Sequence, residues 1–133
     1  MEEIISFEHI NINGINSNDN FVEMDNIMGI LQSMEAGVFS INEHNLDTTD
    51  ALLMKKFFEV VKRHDKYAKI QIASNENESF EYSWKPGGTL LGSLGKWAGR
   101  ICGEGRDPMG RWSWLDFMGK KSKKVRVISS YRV

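Results

Sequence analysis

Three polar clusters, each closing an apolar run, hold the side chains of this chain best suited to chemistry. Asn11-Ile12-Asn13-Gly14 closes Ile4 to Ile10, Asn42-Glu43 closes Ala36 to Ile41, and Ser129-Ser130-Tyr131-Arg132 closes Val125 to Ile128. A carboxylate at a strand end beside amide side chains offers hard oxygen donors, which suit a cation such as Mg2+. Glu43 is therefore the first candidate metal ligand, against the plainer reading of a solvated loop glutamate. Asn11 and Asn13 are candidate polar groups of the same site, or residues that fix backbone turns. Tyr131 is a phosphate hydrogen-bond donor or an amphipathic residue at a sheet edge.

Other chemistries fit less well. His9, His44 and His64 lack metal-ligand spacing; His44 could support Glu43, and His64 complements the end of a helix. With Cys102 alone there is no internal disulfide and no cysteine-based zinc site, and no nearby base activates its thiol. Gly87-Gly88 lacks the following Lys-Ser/Thr of a phosphate-binding loop and reads as a turn. Trp97, Trp112 and Trp114 are base-stacking candidates or core residues. Lys120, Lys121, Lys123 and Lys124 form a basic loop that could touch a nucleic-acid backbone, or a solvated hairpin tip.

Distant clusters meet when strands end together at one rim of a sheet, so the elements must place them there. Residues 3–12 read as a buried strand. Phe21 to Glu35 reads as a helix with Val22, Ile27, Ile30, Leu31 and Met34 at helical spacing, Asp19 or Asn20 as N-cap and Gly37 past its end. Residues 37–42 form a second strand, giving a strand–helix–strand unit, right-handed if parallel. Thr48, Thr49 and Asp50 are caps for a helix from Ala51 to Arg63, whose Leu53, Phe57, Val60 and Val61 make one apolar stripe. Residues 68–73 alternate as a strand, and 75–79 are polar loop. Pro86-Gly87-Gly88 turns into the apolar stretch Thr89 to Leu94, and Asp107-Pro108-Met109-Gly110 turns into Trp112 to Phe117. Gly119 to Lys124 is a hairpin loop before the last strand, Val125 to Ser130. This order predicts an α+β (mixed α/β) domain rather than a doubly wound sheet.

The 133 residues suffice for one domain with a real core, and 41% hydrophobic and 26% charged content is ordinary for a globular protein. No apolar run approaches the roughly 20 residues that span a bilayer, and the acidic N-terminus is unlike a signal peptide, so no membrane and an intracellular (nuclear or cytoplasmic) setting are expected. The net charge of −1 conceals an asymmetry: residues 1–84 carry 6 Lys/Arg against 15 Asp/Glu, whereas residues 85–133 carry 11 against 3. A basic C-terminal part steers toward a polyanion such as nucleic acid, or the two parts attract each other within the fold.

Together the clusters resemble the endonuclease/exonuclease/phosphatase superfamily, especially the endonucleases of LINE-type retrotransposons. His9 to Ser17 resembles the family's first strand and loop, Phe39-Ser40-Ile41-Asn42-Glu43-His44 the segment with the metal-binding Glu, and Ile128 to Val133 the strand ending in the active-site Tyr. Gly87-Gly88-Thr89 and Gly110-Arg111-Trp112 are similar to internal strands of these domains. The resemblance implies the N-terminal half of a four-layer α/β-sandwich that cleaves DNA phosphodiester bonds with Mg2+ or Mn2+. It implies that Glu43 and Asn13 serve the metal, with Asn13 standing where relatives have an acidic residue, and that Asn11 and Tyr131 handle the phosphate or attacking water. The family's later Asp-x-Asn element and Asp-His pair do not occur in these residues, so residues 1–133 are expected to be one truncated domain with little or no activity alone. The expected partners are DNA and a protein or missing C-terminal half that covers the open sheet; the competing class is a non-catalytic nucleic-acid-binding or protein-interaction remnant.

Overall fold

The computed structural model describes residues 5–76 and 85–131. The start of the first predicted strand, loop residues 77–79 and Arg132 lie outside them. Among the described residues seven strands and two α-helices follow in the order β1 (Phe7–Asn11), α1 (Val22–Ser33), β2 (Val38–Asn42), α2 (Ala51–His64), β3 (Lys69–Ala73), β4 (Thr89–Ser93), β5 (Ile101–Arg106), β6 (Trp112–Met118) and β7 (Lys124–Ser130). They form a four-stranded sheet in the order β1-β2-β4-β3 and a three-stranded sheet in the order β5-β6-β7. β1 and β2 are parallel, as the intervening helix requires, and the remaining pairings are antiparallel.

Alternation along the strands divides the core in two. Phe39 and Ile41 of β2, Leu90 of β4 and Ile72 of β3 turn to the helices and meet Met24, Met28 and Leu31 of α1 and Phe57, Val60 and Val61 of α2. Val38 and Leu91, one position out of step, face the second sheet and pack with Leu115 and Phe117 of β6. Helices, first sheet and second sheet make three stacked layers of the four expected. The outer face of the second sheet shows Trp112, Met118 and Ile128 exposed to solvent.

The sequence reading differs from this fold at three elements. β1 is an edge strand with alternate side chains exposed, Phe7 among them, and not the buried strand expected over residues 3–12, because only β2 pairs with it. α1 is capped by Phe21, not by Asp19 or Asn20; all three are left-handed, with φ between 54° and 61°, and Phe21 makes no side-chain cap bond. Its ring is buried against Phe57 at a centroid distance of 5.7 Å, so core packing sets the helix start instead of a polar cap. That start turns Met24, Ile27, Met28 and Leu31 inward and leaves Val22, Ile30 and Met34 exposed. β5, Ile-Cys-Gly-Glu-Gly-Arg, has no apolar alternation to announce it. Gly105 is required by a neighbour, because a Cβ there would lie 2.3 Å from the Trp114 indole.

Candidate active site

The two sheets join through apolar side chains at one end and polar ones at the other. Toward the C-terminal ends of β1 and β2 the inter-sheet contacts become Ser113 Oγ to Thr89 Oγ1 (3.1 Å) and a two-point clasp on Asn42. The Asn42 Oδ1 accepts the Ser129 hydroxyl at 2.7 Å, and its Nδ2 donates to the Ser130 carbonyl at 3.0 Å. This clasp brings the end of β7, and with it Tyr131, to the rim where β1 and β2 finish. Asn11 pairs with Asn42 in the parallel register, so both predicted asparagine clusters end side by side.

Glu43 follows in a left-handed conformation (φ 58°), and Asn45 adopts another (φ 59°). Such backbone is held only where the surroundings over-determine it. Here the Glu43 N–H donates to the Gly88 carbonyl (2.9 Å) and its carbonyl accepts the Gly14 N–H (2.9 Å). The Asn45 N–H donates to the Gly87 carbonyl (2.9 Å), and the Gly87 N–H donates back to Asn45 Oδ1 (2.8 Å). The loop after β1, the Glu43 turn and the Pro86-Gly87-Gly88 turn are thus one backbone network.

His44 anchors it from below. It is fully buried, its Nδ1 accepts the Leu46 N–H (3.0 Å), and the proton therefore sits on Nε2, which donates to the Ala73 carbonyl (2.8 Å). Burial pushes its pKa down to about 4, against the opposing pull of backbone hydrogen bonds, so the ring is neutral at physiological pH. Gly88, at φ 95°, leaves the room this ring needs: a Cβ there would stand 2.4 Å from Nε2. Gly87, at φ 84°, does the same for Tyr131, whose ring would meet an added Cβ at 2.9 Å. Tyr131 is further fixed by its N–H bond to the Arg111 carbonyl (2.8 Å). Arg111 in turn pairs with Asp107 (2.7 Å), and that hydrogen bond holds the Asp107 carboxyl below the ordinary range.

Of the predicted site residues, Asn11, Asn13, Glu43 and Tyr131 come from three separate segments, the ends of β1, β2 and β7, to this one rim. Asn11 and Asn13 are exposed and Glu43 is half-buried. Lys120, Lys121, Lys123 and Lys124 do not join them; they sit at the β6–β7 turn, at the other end of β7. Cys102 is exposed. The sequence offered Asn42 as part of the polar cluster, His44 as a support for Glu43 and Gly88 as part of a turn; it gave no sign that Asn42 joins the sheets, and it left Asn45, which holds the Glu43 turn with His44 and Gly88, without a role. Among the described residues there is no cluster of three or more His, Cys, Asp or Glu side chains able to hold a metal. One carboxylate with amides beside it still suits Mg2+, which keeps several waters and takes one or two carboxylates.

The layered order, the parallel first pair and the convergence at the rim have counterparts among solved structures. An endonuclease/exonuclease/phosphatase family protein from Leptotrichia buccalis superposes with a TM-score of 0.65 over 96% of this chain, at 9% identity. The AP endonuclease LMAP from Leishmania major does so with a TM-score of 0.61, again over 96% of this chain, at 12% identity. This is the endonuclease/exonuclease/phosphatase fold. The chain spans 55% of the first protein and 40% of the second. No family sequence model and no curated protein sequence matches it. At such identities the likeness establishes the endonuclease/exonuclease/phosphatase fold alone, and the rim must argue its own chemistry.

Proposed function

We propose that this rim is part of the site of a divalent-cation-dependent phosphodiesterase that cleaves DNA. The observation that carries the reading is the convergence of Glu43, Asn11, Asn13 and Tyr131 on one rim of a nuclease-type fold. The resemblance to LINE-type endonucleases and the DNA-directed name of the Leishmania major protein favour DNA as the polymer.

In this reading Glu43 would hold a Mg2+ or Mn2+ ion, with Asn13 as a weaker oxygen donor beside it. When bound, the ion neutralises charge on the phosphate and on the leaving oxygen. Asn11 donates its amide N–H to a phosphate oxygen and sets the orientation of the scissile bond. The Tyr131 hydroxyl donates to the same phosphate or holds the attacking water. Rigid backbone around Glu43 keeps the carboxylate in place without reorganisation during the reaction. His44 cannot be the general base, since both ring nitrogens are engaged and the ring is buried. The described residues of the rim offer no further group as general base, and hydrolysis without one lacks the roughly 10²- to 10⁴-fold that proton transfer supplies, so these residues alone would work slowly.

Plasmid nicking in Mg2+, beside a Glu43→Ala control, tests the reading. Slow nicking that disappears in the control supports it; nicking unchanged in the control overturns the assignment of Glu43. Absence of nicking in both, with salt-sensitive DNA binding retained in EDTA, would favour a binding remnant instead. A second reading, a domain completed by a partner, rests on the exposed Trp112, Met118 and Ile128 on the outer face of the second sheet.

A further inference from the structure

Opposite the rim, the start of β3, the end of α2 and the 3₁₀ turn Gly95–Arg100 enclose an open cleft of about 660 Å3. β3 separates the two places: Lys69 begins it at the cleft and Ala73 ends it at His44, four residues on. At about 3.3 Å per residue the strand spans roughly 13 Å. Lys62, Lys66, Lys69 and Lys96 all line the cleft. Among the described residues no carboxylate pairs with Lys62, Lys66 or Lys69. Lys62 donates to the Lys66 and Ala68 carbonyls, at 3.2 and 2.8 Å. The acidic residue beside the cleft, Asp65, is occupied by backbone: its Oδ1 accepts the Tyr67 N–H (2.9 Å) and its Oδ2 the Gly95 N–H (2.6 Å). Concave walls of one sign concentrate the field and draw a polyanion in.

Two further features narrow the class of anion. Tyr67 lines the cleft with 64% of its surface exposed, an aromatic plane with one cation, Lys66, 5.1 Å from its centroid. Gly99 also lines the cleft, and a Cβ there would meet nothing within 4 Å. The wall at Gly99 is therefore bare although the fold has space for a side chain. Several cations spaced along an open trough next to an exposed ring match a phosphate backbone with an unpaired base, since stacking needs a base released from a duplex. A second flank of cations continues the charge, with Lys96 and Arg100 over the Trp97 ring at 5.5 and 4.7 Å.

We propose that this cleft is a binding site for single-stranded nucleic acid, separate from the rim, with the lysines on successive phosphates and Tyr67 under a base. It needs neither the metal nor Glu43, so its failure and that of the phosphodiesterase reading are separable.

The test is fluorescence anisotropy of a labelled oligothymidylate titrated with the full chain in EDTA across a range of salt. Binding should survive Glu43→Ala unchanged. Three phosphate contacts predict a slope of log affinity on log salt of about −2, at roughly −0.7 per contact on a single strand. Lys66→Ala with Lys69→Ala should bring that slope toward about −0.7 and weaken binding at least tenfold. Tyr67→Ala should weaken it about tenfold with the slope unaltered, as expected for lost stacking. Gly99→Glu, which the fold accommodates, should block the cleft and abolish binding. Wild-type affinity in the lysine double variant or in Gly99→Glu overturns the proposal. So does competition by polyglutamate as strong as by unlabelled oligonucleotide, or full displacement by millimolar phosphate at constant ionic strength.

Discussion

His44 shows how much of the candidate site depends on one side chain that does no chemistry itself. Its two hydrogen bonds link the Glu43 turn to the end of β3, and its burial excludes the charged form. The consequence for pH follows from linkage. Above pH 6.5 both folded and unfolded chains carry a neutral ring and the balance is unaffected. Between 6.5 and about 4 the unfolded chain takes up a proton that the folded state refuses, so stability falls as the pH falls. The full effect is on the order of 3 kcal/mol. Urea denaturation of the metal-free chain at pH 7 and pH 4.5 should show this loss, and His44→Gln should remove about one proton from the slope. Identical slopes in wild type and variant would show that the ring titrates freely. Glu43 could be singled out in the sequence because a carboxylate at the end of an apolar run is visible locally. His44 was legible only as a neighbour that could support Glu43; how it does so was not, since its partners are the Ala73 carbonyl and the space above Gly88, 29 and 44 residues away.

At the level of elements, legibility followed how local the cause was. α2 begins where the sequence says, because Asp50 accepts the Leu53 N–H through its own side chain, a bond within a single turn. Asp50→Ala should therefore cost about 1 kcal/mol, visible in thermal or urea unfolding. A loss below about 0.3 kcal/mol would mean that the buried stripe of Phe57, Val60 and Val61 sets the helix start unaided. α1 is the contrast: its start depends on Phe21 meeting Phe57, 36 residues on, and the polar residues nearby mislead. β5 failed to declare itself for a similar reason. Its Gly105 is selected by the Trp114 indole lying across it, and β5 joins its sheet only through β6.

Across the whole molecule, the class of fold was readable because a strand–helix–strand opening followed by successive strands admits few layered solutions. The division into two sheets was not, since it depends on which alternate positions of β2 and β4 face which layer. The charge asymmetry was read along the chain as an acidic part and a basic part, yet in space Lys62, Lys66 and Lys69 of the acidic part join Lys96 of the basic part at one cleft. The rim is held to the second sheet by Asn42. Asn42→Ala should remove both clasp bonds and lower stability by roughly 1–3 kcal/mol. Amide exchange at Ser129 and Tyr131 should quicken well before that of β2 and β4; uniform acceleration would show that the sheets are joined chiefly by the Val38, Leu91, Leu115 and Phe117 contacts.

The same clasp has a kinetic meaning. Its partners are 87 and 88 residues apart, so the contact closes a loop that includes most of the chain. Contacts of such separation are entropically the most expensive to form and tend to follow local ones. The strand–helix–strand unit holding Glu43 can gather early, from neighbours in sequence, while Tyr131 arrives only when β7 docks. During synthesis and refolding the rim would then be among the last regions to become ordered, and a partly folded chain would already carry the lysine-lined cleft before it carried a complete rim.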